Sequence, residues 1–224
     1  MKIFALNNME PLDGLTFRKL LKHIPQEKQE RIKKFAKYDD AKMVLLADVL
    51  ARSVIARELK VSSKNIEINV NKYGKPFLKG NYRLYFNVSH SGNWIVCVID
   101  DKPVGIDIEK IKPIEFEAFE QFLSDEEYKM LMEKNPEKWL PFFFDLWTLK
   151  ESYIKAVGEG FSIPFASFTI SFLKIGEIKV KLSNKLTNWT LKKYDFHPEY
   201  KMSVCCAYET FPDNVIIKTL KYIC

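Results

Sequence analysis

Residues 85–109 read YFNVSHSGNWIVCVIDDKPVGIDIE. Tyr85–Ser89 and Trp94–Ile99 are two β-rich runs, and the stretch His90-Ser91-Gly92-Asn93 between them predicts a hairpin or tight bend. Val104–Glu109 then predicts a further strand on which Asp107 and Glu109, two apart, share one face while Ile106 and Ile108 pack behind them.

Working outward toward the N-terminus, Ile3–Asn7 predicts a first strand and Pro25 a helix start. Gln26–Lys37 reads as a charged helix with Ile32 and Phe35 turned inward. Asp39 is placed to cap a longer helix reaching about Lys60, on which Val44, Leu45, Val49, Ile55 and Leu59 recur near helical spacing. A strand at Ile66–Val70 and a turn at Lys72-Tyr73-Gly74-Lys75-Pro76 complete this half. Toward the C-terminus, helices are predicted over Ser124–Glu133 and about Pro141–Val157. Strands are predicted at Ser167–Phe172, Glu177–Lys181, Trp189–Tyr194 and Met202–Ala207. The passage Asp48–Ile68 runs parallel to Asp145–Ile170, and Tyr85–Ile99 has a counterpart in Tyr200–Tyr208. The expected class is α+β, in two similar pseudo-symmetric lobes: residues 1–103 and residues 104–224. A boundary near Pro103–Gly105 opens a cleft between them, where ligand sites often lie.

The 224 residues are 47% hydrophobic, 14% aromatic and 29% charged, which excludes a disordered chain. A net charge of +6, from 35 basic and 29 acidic residues, suits an anionic ligand or acidic partner better than a nucleic-acid coat. Cys97, Cys205, Cys206 and Cys224 form no C-x-x-C pair and read as reduced thiols, which points to the cytosol. The start, Met1-Lys2-Ile3-Phe4, runs quickly into Asn7, Asn8, Glu10, Pro11 and Asp13 and carries no secretory hydrophobic region. The apolar run Trp94–Ile99 is too short for a bilayer span.

Four patterns carry chemistry. Asp107 and Glu109 side by side repel unless something positive stands between them; magnesium, which takes oxygen ligands, answers that, and two solvated acids on an exposed strand are the alternative. In Trp147-Thr148-Leu149-Lys150-Glu151-Ser152-Tyr153-Ile154-Lys155, Glu151 and Lys155 are helical neighbours. They form either an ordinary surface pair or a metal carboxylate beside a phosphate-binding cation. Ser89 and His90, where the strand turns, can offer hydroxyl, imidazole and backbone N–H donors to a phosphate; His90 as a core histidine is the alternative. No G-x-S-x-G elbow supports a hydrolase. Tyr73-Gly74-Lys75-Pro76 can border a flat base, and Lys28 and Arg31, three apart on one helix face, suit a single anionic group.

Taken in order, Tyr-Gly-Lys-Pro at 73–76, Asn-x-Ser-His-Ser at 87–91, Gly-Ile-Asp-Ile-Glu at 105–109 and Trp-x-x-Lys-Glu-Ser-x-x-Lys at 147–155 closely resemble the surfactin-synthetase-activating class of 4′-phosphopantetheinyl transferases. The resemblance spans essentially the whole chain, including Pro198 to Met202 near the end. It implies a cytosolic monomer, without nucleic-acid or membrane partners. Its task would be to move the phosphopantetheine arm of coenzyme A onto a serine of apo peptidyl or acyl carrier proteins, in the setting of non-ribosomal peptide and antibiotic synthesis. By the same resemblance Asp107, Glu109 and Glu151 are the magnesium ligands and Lys155 the pyrophosphate contact. Ser89 and His90 hold coenzyme A phosphates, Tyr73, Gly74, Lys75 and Pro76 line the adenine, and Lys28 and Arg31 grip the 3′-phosphate. Val44 stands where close relatives supply a hydroxyl to that phosphate. The stretch from Gly158 to about Asn188 resembles a carrier-docking region, with Phe161, Phe165 and Phe168 as apolar contacts unless they are core. His90 joins Lys155 in sharing the developing charge. Glu151 is the first candidate for the base that takes the serine proton and Glu127 the second. Two other readings compete. A magnesium nuclease lacks a second acid cluster and a basic-aromatic stripe here. A non-catalytic coenzyme A- or carrier-binding protein would not require all three acids.

Overall fold

The computed structural model describes residues 1–115, 117–173, 176–208 and 210–223, and only the backbone of Ala118 and Phe161; Cys224 lies outside the described residues. Chain order is β1 (Lys2–Asn7), α1 (Gly14–Leu21), α2 (Gln26–Lys33), α3 (Tyr38–Leu59), β2 (Ile68–Val70), β3 (Pro76–Leu78), β4 (Tyr85–Ser91), β5 (Trp94–Asp100) and β6 (Val104–Lys110). The second half continues with α4 (Glu117–Phe122), α5 (Asp125–Met132), α6 (Trp139–Val157), β7 (Phe168–Phe172), β8 (Ile178–Leu182), β9 (Lys185–His197), β10 (Tyr200–Cys206), β11 (Ile216–Lys218) and α7 (Leu220–Ile223).

Alternation along the strands builds the layers. In β5, Ile95, Cys97 and Ile99 face α3 in one core, while Val96 and Val98 turn the other way to meet Ile106 and Ile108 of β6 and Met202 and Val204 of β10. Two sheets therefore pack face to face, ordered β11-β1-β5-β4 and β6-β10-β9-β8-β7. Each carries a long helix on its outer face: α3 lies over the first and α6 over the second. Helix α3 is buried at Leu45, Leu46, Val49 and Leu50 and at neighbouring positions one turn on, the wide apolar stripe of a helix sunk into a sheet.

Several expected boundaries shift. Asp39 does not cap α3; the cap position is Lys37, which makes no side-chain bond, and Asp39 and Asp40 fall in the first turn, where acids favour the helix dipole. Helix α2 stops at Lys33. The bend predicted at 90–93 narrows to Gly92 and Asn93, because β4 runs on through Ser91; Gly92 adopts φ 55° and the Asn93 N–H donates to the Tyr200 hydroxyl at 3.0 Å. Strand β11, from the expected lobe of 104–224, pairs in parallel with β1, and Leu220 and Ile223 enter the core under α3. Among the described residues no helix is long and apolar enough to cross a membrane. Cys97, Cys205 and Cys206 are free and buried, as expected of reduced thiols.

Candidate active site

The two sheets meet at their edge strands, β4 and β6, and β4 lends its side chains to β6. Asn87 Oδ1 accepts the Ile106 N–H at 2.9 Å, Ser89 Oγ donates to Asp107 Oδ1 at 2.7 Å, and Ser91 Oγ donates to Glu109 Oε2 at 2.6 Å. These alternate β4 residues line up with alternate positions of β6, so both carboxylates are held from one side. Helix α6 closes the other side. At Gly105 an added Cβ would stand 2.0 Å from Ser152 O and 2.4 Å from Ala156 N, so only glycine lets the helix come this close. That approach brings Lys155 Nζ to 2.6 Å from Asp107 Oδ1 and 3.0 Å from Ser89 Oγ, with Glu151 Oε2 4.0 Å from the same ammonium.

Electrostatics here are far from those of a surface cluster. Burial pushes the Glu151 carboxyl up to about 7, with Asp107 and Glu109 adding to the rise and Lys155 opposing it. Burial also raises Glu109, against its bond from Ser91. Lys155 is pulled down by burial but pulled up further by Asp107 and Glu151, and ends above its ordinary value. Asp107, 2% exposed, keeps one oxygen, Oδ2, buried with no partner among the described residues. A buried carboxylate oxygen without a donor is costly, and a cation is the usual remedy. Among the described residues no three acidic, His or Cys side chains close around a single point, because the Lys155 ammonium stands between Asp107 and Glu151. The donors around the free Asp107 oxygen are all oxygen, the chemistry a hard divalent cation takes.

The opposite face of β4 lines a second chamber. Phe86, Val88 and His90 form one wall, and Lys28, Arg31, Val44 and Asp48 the other, of a recess of about 240 Å³. Desolvation by these walls, and next the Lys155 charge, hold His90 below its ordinary value. A neighbouring recess of about 280 Å³ joins Tyr73, Gly74, Lys75 and Pro76 to Glu151 and Lys155, and Pro76 and Val88 belong to both. One continuous groove thus runs from the basic pair on α2 to the carboxylates on β6 and α6. Its loop is shaped by Asn71, whose Oδ1 accepts the N–H groups of Tyr73 and Lys75 at 2.9 Å and whose Nδ2 donates to Gly158 O at 2.8 Å, at the end of α6.

A family profile described as the 4′-phosphopantetheinyl transferase superfamily matches residues 103–205, and one described as 4′-phosphopantetheinyl transferase, N-terminal, matches residues 11–101. The chain is 37% identical to the 4′-phosphopantetheinyl transferase Sfp of Bacillus subtilis (strain 168), over 96% of each chain. The chain belongs to the 4′-phosphopantetheinyl transferases. Other relatives are the 4′-phosphopantetheinyl transferase psf-1 of Bacillus pumilus, 35% identical over 98% of this chain and 95% of that one, and gsp of Aneurinibacillus migulanus, 36% identical over 92% and 86%.

In this phosphopantetheinyl transferase the structure brings together Asp107, Glu109, Glu151, Lys155 and Ser89, and lines the adjoining groove with His90, Lys28, Arg31 and residues 73–76. Ser89 and His90 lie within β4 rather than at its turn and point to opposite faces, Ser89 to Asp107 and His90 to the basic recess. The Lys75 ammonium donates to Ala156 O at 2.8 Å at the carbonyl end of α6, and burial lowers it to about 8. Glu127 is no candidate base. It is 0% exposed; Oε2 pairs with Lys150 at 2.8 Å and caps Ser124 N at 2.8 Å, and Oε1 accepts Ile170 N at 2.7 Å. Lys150 in turn donates to Phe165 O and Phe168 O, both at 2.7 Å, so the pair staples the segment after α6 to the core. Phe165 and Phe168 are accordingly core, while the Phe161 side chain lies outside the described residues. Sequence reasoning missed Ser91, Asn71 and Asp48. Asn71 carried a local signal, an Asn two residues before Tyr73, where its side chain can mimic a backbone carbonyl.

Proposed function

We propose that this enzyme moves the 4′-phosphopantetheine arm of coenzyme A onto the serine hydroxyl of apo peptidyl and acyl carrier proteins, releasing adenosine 3′,5′-bisphosphate. The observation that carries the reading is the unpartnered, buried Asp107 Oδ2 beside two carboxyls whose burial raises them, at the end of a groove with a basic recess. Asp107, Glu109 and Glu151 would hold magnesium, which supplies charge neutralisation to the pyrophosphate when bound.

The remaining chemistry belongs to the chain's own residues. Lys28 and Arg31 fix the 3′-phosphate, the 73–76 turn borders the adenine, and the His90 ring donates to a phosphate oxygen along the groove wall. Lys155, swung from Asp107 toward the diphosphate, neutralises the leaving phosphate. The serine Oγ forms a bond to the β-phosphorus as the bond to the bridging oxygen breaks, and the bisphosphate departs with that oxygen. Glu151, on the face of α6 beside Lys155, takes the serine proton. The +6 charge suits acidic carriers. We also infer a monomer of two lobes meeting at residues 103–104, working in the cytoplasm on carriers such as those of non-ribosomal peptide synthesis.

Incubation with an apo-carrier, coenzyme A and magnesium, followed by weighing the carrier, tests this. A gain of one phosphopantetheine is expected, lost in Glu151→Gln although coenzyme A binding stays measurable. An unchanged carrier mass together with coenzyme A binding would instead leave a non-catalytic binder.

A further inference from the structure

Asp48 on α3 stands between two cations. Its Oδ2 accepts from Arg52 Nε at 2.7 Å, and its Oδ1 pairs with Lys28 Nζ. Arg52 is 3% exposed; Nη1 donates to Ile66 O at 2.7 Å, and Nη2 is buried with no acceptor among the described residues. A guanidinium grips a carboxylate best through two parallel N–H groups. With Nη1 committed to Ile66, the second tine is Nη2, and the oxygen that would complete the fork is the Asp48 Oδ1 held by Lys28. Lys28 is 43% exposed, at the mouth of the recess it shares with Arg31.

We propose that Asp48 is a positioning residue that parks Lys28 until coenzyme A binds and then releases it to the 3′-phosphate, Arg52 Nη2 taking over the freed Oδ1. The inference rests on the reading of Lys28 as a 3′-phosphate contact. Without the exchange, drawing Lys28 away would leave Asp48 Oδ1, on a side chain 9% exposed, without its ammonium; with it, that oxygen is taken by Arg52 Nη2, which has no acceptor among the described residues. The same carboxylate then competes for Lys28 when the bisphosphate must leave. Asp48 thereby sets how tightly the 3′-phosphate is held, separately from the grip on the pyrophosphate.

Two substitutions should act in opposite directions. Asp48→Asn removes the competing charge and tightens coenzyme A. Arg52→Gln removes the rival cation, commits Asp48 to Lys28 and weakens coenzyme A. Dephospho-coenzyme A, which lacks the 3′-phosphate, should respond to neither. The experiment is equilibrium binding of both nucleotides to wild type, Lys28→Ala, Asp48→Asn, Arg52→Gln and the Lys28→Ala/Asp48→Asn double variant, each checked for a cooperative melt. Relative to wild type, the preference for coenzyme A over dephospho-coenzyme A should rise up to about fivefold in Asp48→Asn, the scale of one partly exposed charge pair. It should fall in Arg52→Gln and in Lys28→Ala, and Asp48→Asn should add nothing in the Lys28→Ala background. Should Arg52→Gln fail to fold, the double variant carries the test alone. A preference lost in Lys28→Ala but unchanged or lowered in Asp48→Asn would overturn the exchange while leaving the 3′-phosphate reading intact. A preference unaffected by Lys28→Ala would remove that reading and the exchange with it.

Discussion

Gly105→Ala adds one methyl group where β6 and α6 touch, and the structure fixes what that methyl meets. It would lie 2.0 Å from Ser152 O, 2.4 Å from Ala156 N and 3.0 Å from Ala156 Cα. All three are backbone atoms, so no rotamer change relieves the clash. Moving Ser152 O from 2.0 Å out to the 3.4 Å of ordinary contact opens the strand and helix by about 1.4 Å. Ser152 and Ala156 follow Glu151 and Lys155 directly in the chain, so the displacement passes to the two site residues on α6 while Asp107 and Glu109 stay on β6. An error near 1 Å between reacting groups costs about 10²-fold. Overpacking of this kind also costs stability, typically 1–3 kcal/mol. Single-turnover transfer to an apo-carrier should therefore slow about 100-fold, with coenzyme A binding through the α2 and α3 residues largely kept and the melt lowered but cooperative. A folded Gly105→Ala enzyme transferring within twofold of wild type would refute the argument that this contact sets the site.

Glu127→Gln should lower stability by about 3–5 kcal/mol by leaving the Lys150 charge buried without its partner, while the rate per folded molecule holds; a folded variant without transfer would return Glu127 to the chemistry. Val44→Thr puts a hydroxyl into the basic recess and should tighten coenzyme A by about 1 kcal/mol, the value of one net hydrogen bond, and equal tightening of dephospho-coenzyme A would contradict it. Glu151, raised from 4.5 to about 7, makes the native protein bind more protons than the unfolded chain across that interval. Its stability contribution in metal-free protein is thus fullest below about pH 4.5 and declines as pH rises to about 7. Melting of wild type against Glu151→Gln across this range reads that slope, and a pH-independent difference would show that burial does not penalise the ionised carboxyl.

Local patterning made much of this molecule legible. The run from Tyr85 to Glu109 gave two strands, a turn and a third strand, because β-rich segments, whose alternate residues take opposite faces, are interrupted at Gly92-Asn93, although both faces of β5 are buried. The same alternation put Asp107 and Glu109 together, and helical spacing put Glu151 near Lys155. What escaped depends on partners distant in sequence. Strand β11 is three residues long and exists because β1 has an open edge beside it. Lys75 and Lys150 look like surface cations in a string, and only the close packing of α6 shows them spent on backbone carbonyls. Glu127, the second candidate for the base, lies three residues after Ser124, and that spacing is also the signature of the capping box it forms. Helix α1 was not among the expected elements, although Asp13, whose carboxylate accepts from the Leu15 and Thr16 N–H groups, is a residue type that starts helices. The spacing of Asp48 and Arg52 on α3 shows one ion pair, but not Lys28, twenty positions earlier, nor the guanidinium nitrogen left without an acceptor among the described residues.

The account stands on the carboxylates of β6 and α6 taking a divalent cation in exchange for the Lys155 ammonium. Titration of the protein with manganese in the presence of coenzyme A, followed by the loss of free-ion signal, measures this directly. One ion per chain is predicted, held in wild type and lost in Asp107→Asn. No bound ion, or an ion held equally well by Asp107→Asn, would contradict the account.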